Sequence, residues 1–192
     1  MGVTYEEWAN KRAKEAHTIL FTEIAKGKRL STDVDPNTFF GLLHRYLNAT
    51  KQGAARSNLR LMAQVLRGSM EQDCPFSADK LAANAELVAT LSRNEVKFLA
   101  TYWKIYAECL STFDGEQIQI NTQAKAVLSL VPTIFSTEDE FRATAGALTR
   151  TGLILAQSGW GGIRYDVTPK LSDLVKMCDL ESALIGDEPS KL

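Results

Sequence analysis

Two histidines, three cysteines and one run of carboxylates are the residues whose types suit metal, nucleophilic or acid–base chemistry. Their spacing argues against all three. His17 and His44 fall in helical patterns with no carboxylate constellation around them, and lone histidines seldom serve as ligands or catalysts. Cys74, Cys109 and Cys178 are odd in number, widely spaced and without a CxxC or CxxH partner, so neither a disulfide framework nor a zinc knuckle is expected. Glu138, Asp139 and Glu140 lie together at the start of a helical pattern without a nucleophile, where capping accounts for them. No GxxxxGK[ST] loop, GxSxG elbow or helix-opening GxGxxG occurs. These absences point to a non-enzymatic binding protein with no cofactor and no metal.

Charge narrows the partners. Lys and Arg number 22 against 23 Asp and Glu, for a net charge of −1. Residues 1–91 hold 12 basic and 10 acidic side chains and residues 92–180 hold 9 and 10, so neither half is a strong polyanion attractor. The apolar stretches fall short of the roughly 18–20 residues that cross a bilayer, and the first ten residues lack the basic and apolar regions of a secretory signal. A cytoplasmic protein with no membrane contact is expected.

Positioning falls to helices in the first half. Ala9, Ala13, Ala16, Leu20 and Ile24 form the stripe of one helix over residues 4–25. Asp35-Pro36 caps a second, with Phe39, Phe40, Leu43, Tyr46 and Leu47 on its face. Leu59, Met62, Leu66 and Met70 mark a third, with Arg56, Arg60 and Arg67 off the stripe. Ser77 caps a fourth through Leu81, Ala85, Val88 and Leu91. The expectation for residues 1–91 is an antiparallel helical bundle that can form a homodimer. Its aromatic second helix suits core packing first, and a ligand pocket lined by Phe39, Phe40 and Tyr46 or an oligomer face second.

The second half changes pattern. Ser92-Arg93-Asn94-Glu95 is a capping box that opens a helix through Val96, Leu99, Trp103, Tyr106 and Leu110. Ile118 and Ile120 alternate with Gln119, which predicts a very short strand. Asn121 then caps a helix through Ala124, Val127, Leu128 and Val131, ended by Pro132. A further helix runs from Thr137 to Gly152. Leu153–Gln157 and Ile163–Thr168 flank Ser158-Gly159-Trp160-Gly161-Gly162 as a hairpin, with Ile163, Tyr165 and Val167 turned to the core. Thr168-Pro169 caps a last helix through Leu171, Leu174, Val175 and Cys178, and residues 181–192 read as a frayed tail.

This order of elements over roughly residues 92–178 resembles the winged helix-turn-helix superfamily. The run Leu148-Thr149-Arg150-Thr151-Gly152-Leu153-Ile154, followed by Tyr165-Asp166-Val167-Thr168-Pro169, is similar to the recognition-helix end and wing of MarR-type (multiple-antibiotic-resistance) regulators. A fainter similarity links the whole chain to uncharacterised bacterial proteins that pair a helical region with a C-terminal winged helix. The fold expected is therefore mainly α: a helical bundle (1–91), a winged helix with a small β-hairpin (92–180) and the tail. The resemblance implies a regulator binding double-stranded DNA through Arg142, Thr144, Thr149 and Arg150 on the recognition helix and Arg164 at the wing, with Arg150→Glu lowering affinity without unfolding. That regulator is the leading expectation; the three carboxylates at the helix start and the nearly uncharged wing suit a protein partner as well, the alternative, with Trp160 and Tyr165 as aromatic anchors. Trp160, held between glycines, either folds back for cover or stands exposed for contact.

Overall fold

The computed structural model describes residues 4–27, 31, 34–72, 74–159 and 162–185. The protein is mainly α-helical with one small antiparallel hairpin, and it divides into two compact units, Met1–Leu91 with Met177–Leu192 and Ser92–Lys176. Among the described residues no helix is long and apolar enough to cross a membrane. Trp160 lies outside the described residues.

In the first unit α1 (Tyr5–Ile24), α2 (Pro36–Lys51), α4 (Ala78–Thr90) and α9 (Leu180–Leu184) all pack on α3 (Arg56–Ser69). Thr4 and Glu7 make a reciprocal capping box that starts α1, Asp35 accepts from the Asn37 and Thr38 amides to start α2, and Ser77 accepts from Lys80 to start α4. The expected α3 stripe of Leu59, Met62 and Leu66 is only part of its buried surface. Asn58, Leu61, Ala63, Gln64 and Val65 are buried as well, because helices surround α3 on several sides. The α2 face also differs from the expected one. Leu42, Tyr46, Ala49 and Thr50 are buried while Phe40 is 63% exposed, so Phe39, Phe40 and Tyr46 do not line one pocket. The Tyr46 hydroxyl is spent inside the bundle, donating to the Ala16 carbonyl at 2.7 Å.

Polar side chains knit this unit together. Asn58 Nδ2 donates to the carbonyls of Val88 (2.8 Å), Ala89 (3.2 Å) and Leu91 (2.7 Å), which end α4 and have no intrahelical donor of their own. Gln64 donates to Glu23 and to Ser182 Oγ and accepts from the Asp179 amide at 2.7 Å, while Arg60 donates to the Ala183 and Ile185 carbonyls. Residues 180–184 are consequently a packed helix with Leu180 and Ala183 buried, which corrects the frayed reading of residues 181–184; residues 186–192 lie outside the described residues.

The second unit is built on α5 (Arg93–Leu110), followed by α6 (Glu116–Leu130), α7 (Glu138–Leu148), a 3₁₀ turn (Thr149–Thr151), β1 (Ile154–Gly159), β2 (Gly162–Val167) and α8 (Pro169–Met177). Its core is aromatic: Phe98 stacks on Tyr102 with ring centroids 5.2 Å apart and meets Phe141 at 5.1 Å, and Phe135 closes on Phe141 edge-on. The strand expected at Ile118–Ile120 is instead the first turns of α6. Gly115, at φ 55°, turns the chain so that the helix begins at Glu116, and three alternating residues do not outweigh a continuous helical segment. Asn121 therefore lies inside α6 and caps nothing at its start. The hairpin pairs Ile154 with Val167 through Gly159 with Gly162, so its strands reach further toward the tip than the sequence suggested.

Candidate functional site

The residues expected to meet DNA come from α7, the turn after it and β2. α7 starts where Thr137 Oγ1 accepts from the Glu140 amide, and it buries Phe141, Ala145 and Leu148, leaving Glu138, Asp139, Glu140 and Arg142 outward. Each of the three arginines faces a carboxylate. Arg142 lies 3.4 Å from Glu138 one turn earlier, Arg164 lies 3.8 Å from Glu116, and Arg150 lies 2.5 Å from Glu95. Thr149 donates its hydroxyl to the Gly146 carbonyl, and Thr144 is half-buried.

The Glu95–Arg150 pair is structural. Glu95 is buried at the start of α5, where it accepts from the Ser92 amide at 2.7 Å as the returning half of the capping box. Burial raises the carboxyl's pKa, but hydrogen bonds from Arg150 and Ser92 outweigh it and hold the group below the usual carboxylate range. Arg150→Glu would set a second carboxylate against this one, so a loss of DNA affinity in that variant would not by itself report on a DNA contact.

Tyr165 is also part of the core. It is buried, with its hydroxyl donating to the Arg142 carbonyl at 3.2 Å, and its ring is not available as a partner anchor. Ile163, expected to face the core with it, is 56% exposed because it lies nearer the hairpin tip.

Arg142 and Arg164 do come together, at the rim of an open groove of about 520 Å³ between α6, α7 and β2. α6 supplies its floor with Ile120, Ala124, Val127 and Leu128, and Ile163 forms the opposite wall. Leu128 is 80% exposed. α6 buries Thr122, Ala126 and Leu130, a different stripe from the Ala124, Val127, Leu128 and Val131 expected, and this rotation turns its remaining apolar residues outward. Gln123 ties α6 to the hairpin, its Nε2 donating to the Ile163 carbonyl at 3.2 Å and its Oε1 accepting from the Tyr165 amide at 3.3 Å. A surplus of apolar residues in α6 beyond one stripe was the available sign of this groove. Its assembly from segments 40 residues apart was not visible.

Across the hairpin from Leu155, Asp166 is half-buried; burial raises its carboxyl's pKa and the nearby Arg164 only partly offsets this. Among the described residues no cluster of three His, Cys, Asp or Glu side chains is disposed to hold a metal ion. Compared with known proteins, the chain matches no family model, no curated protein and no solved structure.

Proposed function

We propose that Ser92–Lys176 is a winged-helix-like module that binds a protein partner, taking apolar side chains of that partner into the groove between α6, α7 and β2. The observation that carries this reading is the exposure of Leu128 and Ile163 in one groove whose two arginines already face carboxylates. A concave apolar strip with a mixed polar rim suits a protein surface, and exposed apolar clusters commonly mark such contacts. Glu138 in the groove favours a partner with Lys or Arg beside its apolar anchors. Selection from a displayed random-peptide library on the full chain tests it. Enriched peptides should pair an apolar anchor with basic flanks and lose at least tenfold in affinity against Leu128→Asp or Ile163→Asp, with circular dichroism unchanged. Peptides that bind both variants as well as the parent would remove the groove from consideration.

A second reading, a DNA-binding regulator, is favoured by the succession α6, α7 and hairpin and by Arg142. That side chain is exposed and, among the described residues, held only by its neighbour on the helix, a weak pairing that a phosphate can displace. Here Arg142, Thr144, Thr149 and Arg164 would meet the duplex, and Arg142→Glu replaces Arg150→Glu as the control. Salt-sensitive binding to random-sequence duplex DNA that Arg142→Glu weakens supports the regulator. No binding at low salt excludes it.

A further inference from the structure

The two edges of the hairpin are treated differently. Along β2 three of the outward backbone groups are occupied: the Ile163 carbonyl and Tyr165 amide by Gln123, and the Tyr165 carbonyl by the Tyr102 hydroxyl. Because the Tyr165 groups point away from β1, the Ala156–Tyr165 pair is a non-hydrogen-bonded one in the antiparallel ladder. The Thr168 amide donating to the Leu153 carbonyl fixes the same alternation from the other end. The amides and carbonyls of Ala156 and Ser158 must then point outward along the free edge of β1. Among the described residues nothing bonds to them, and residues 155–158 are exposed.

An open edge is a template for another strand, and proteins usually blunt it with charge, proline or a bulge. β1, Ile154-Leu155-Ala156-Gln157-Ser158-Gly159, has no charged residue, no proline, and an unbroken register with β2. β2, by contrast, carries Arg164 and Asp166. The lack of charge also indicates which strand fits. Pairing about a two-fold axis sets each residue opposite one from the same segment, so any charge near the axis would meet its like.

We infer that the free edge of β1 pairs antiparallel with β1 of a second copy of this chain, the two hairpins joining into one four-stranded sheet. The two-fold passes through Gln157. Ala156 of each copy then lies opposite Ser158 of the other as a hydrogen-bonded pair, so the outward groups of both residues are satisfied, and the two Gln157 residues form the closely spaced pair between them. Leu155 falls opposite Gly159, which leaves room for its side chain. This surface is the opposite edge of the hairpin from the groove, and the inference does not depend on the groove's occupant.

Sedimentation velocity of the full chain from about 1 to 200 μM tests it. The parent should show concentration-dependent dimerisation. Ala156→Pro removes an outward amide that the hairpin does not use and should raise the dissociation constant at least tenfold. Gln157→Lys should weaken the dimer, and an equimolar mixture with Gln157→Glu should restore it as a heterodimer. Gln157→Cys should oxidise to a linked dimer where Ala156→Cys does not, since only position 157 meets itself across the axis. A parent monomeric throughout the range overturns the inference. So does a dimer that Ala156→Pro leaves intact while circular dichroism reports a folded protein.

Discussion

The two units hold their central helices by different means. In the first, α3 is enclosed by other helices, and its polar side chains reach distant backbone: buried Asn58 to the end of α4, buried Gln64 and half-buried Arg60 to the segment that carries α9. In the second, α5 carries an aromatic core, and polar side chains attend to a hairpin, Tyr102 and Gln123 closing one edge of β2. A helix satisfies its own interior backbone and leaves only its ends to be capped, whereas a strand leaves a whole side open. The first unit therefore uses buried amides as cross-links at helix ends, and the second uses a buried phenol and a half-buried amide as edge guards.

Four substitutions sharpen that contrast, in order of falling effect. Asn58→Leu keeps the volume but leaves the Val88, Ala89 and Leu91 carbonyls without a donor, and should cost about 3 kcal/mol in urea denaturation, given roughly 1–3 kcal/mol for each buried group left unpaired. A loss under about 1 kcal/mol would mean that water replaces the amide and that the cross-link is dispensable. Tyr102→Phe strips one edge guard and should cost about 1–2 kcal/mol, with amide exchange at the hairpin quickening before that of α5.

Arg150→Ala should cost about 1 kcal/mol near neutral pH, as expected of a half-exposed charge-assisted bond. Its signature is pH dependence. Glu95 is held below its unfolded pKa, so its contribution is complete above the ordinary carboxylate range and is lost as pH falls through the folded value. Stability curves of parent and variant should converge in acid, and a constant gap from pH 7 to pH 3 would contradict the assignment. Arg142→Ala, which removes only an exposed pair one turn long, should shift stability by no more than about 0.5 kcal/mol in the same denaturation assay.

The features legible in the sequence are those decided within a few residues. Asp35-Pro36, Ser77 and Ser92-x-x-Glu95 marked helix starts because a cap needs only its own first turn, and the glycines after Ser158 marked the hairpin. The mainly α composition with a small hairpin followed from them. What escaped depends on partners far along the chain. Ile118-Gln119-Ile120 alternates like a strand, but β2 takes Gln123 as its neighbour and, among the described residues, no third strand joins it. Arg150 was expected to meet DNA because Glu95, 55 residues earlier, cannot be recognised as its partner from charge alone. Tyr165 reads both as lying on one face of an alternating strand and as a partner anchor, and its burial and its bond to Arg142, which rule out the anchor, emerge only when α7 is laid against it.

The first unit is assembled from two stretches of chain with the whole second unit between them. During synthesis Gln64 emerges 115 residues before the Asp179 amide that it will accept from, and Arg60 emerges 123 residues before the Ala183 carbonyl. At ribosomal rates of about 5–20 residues per second, the nascent bundle waits many seconds with this side of α3 uncovered. Ser92–Lys176 has left the ribosome before α9 can dock, so the first unit to begin folding is the last to be finished.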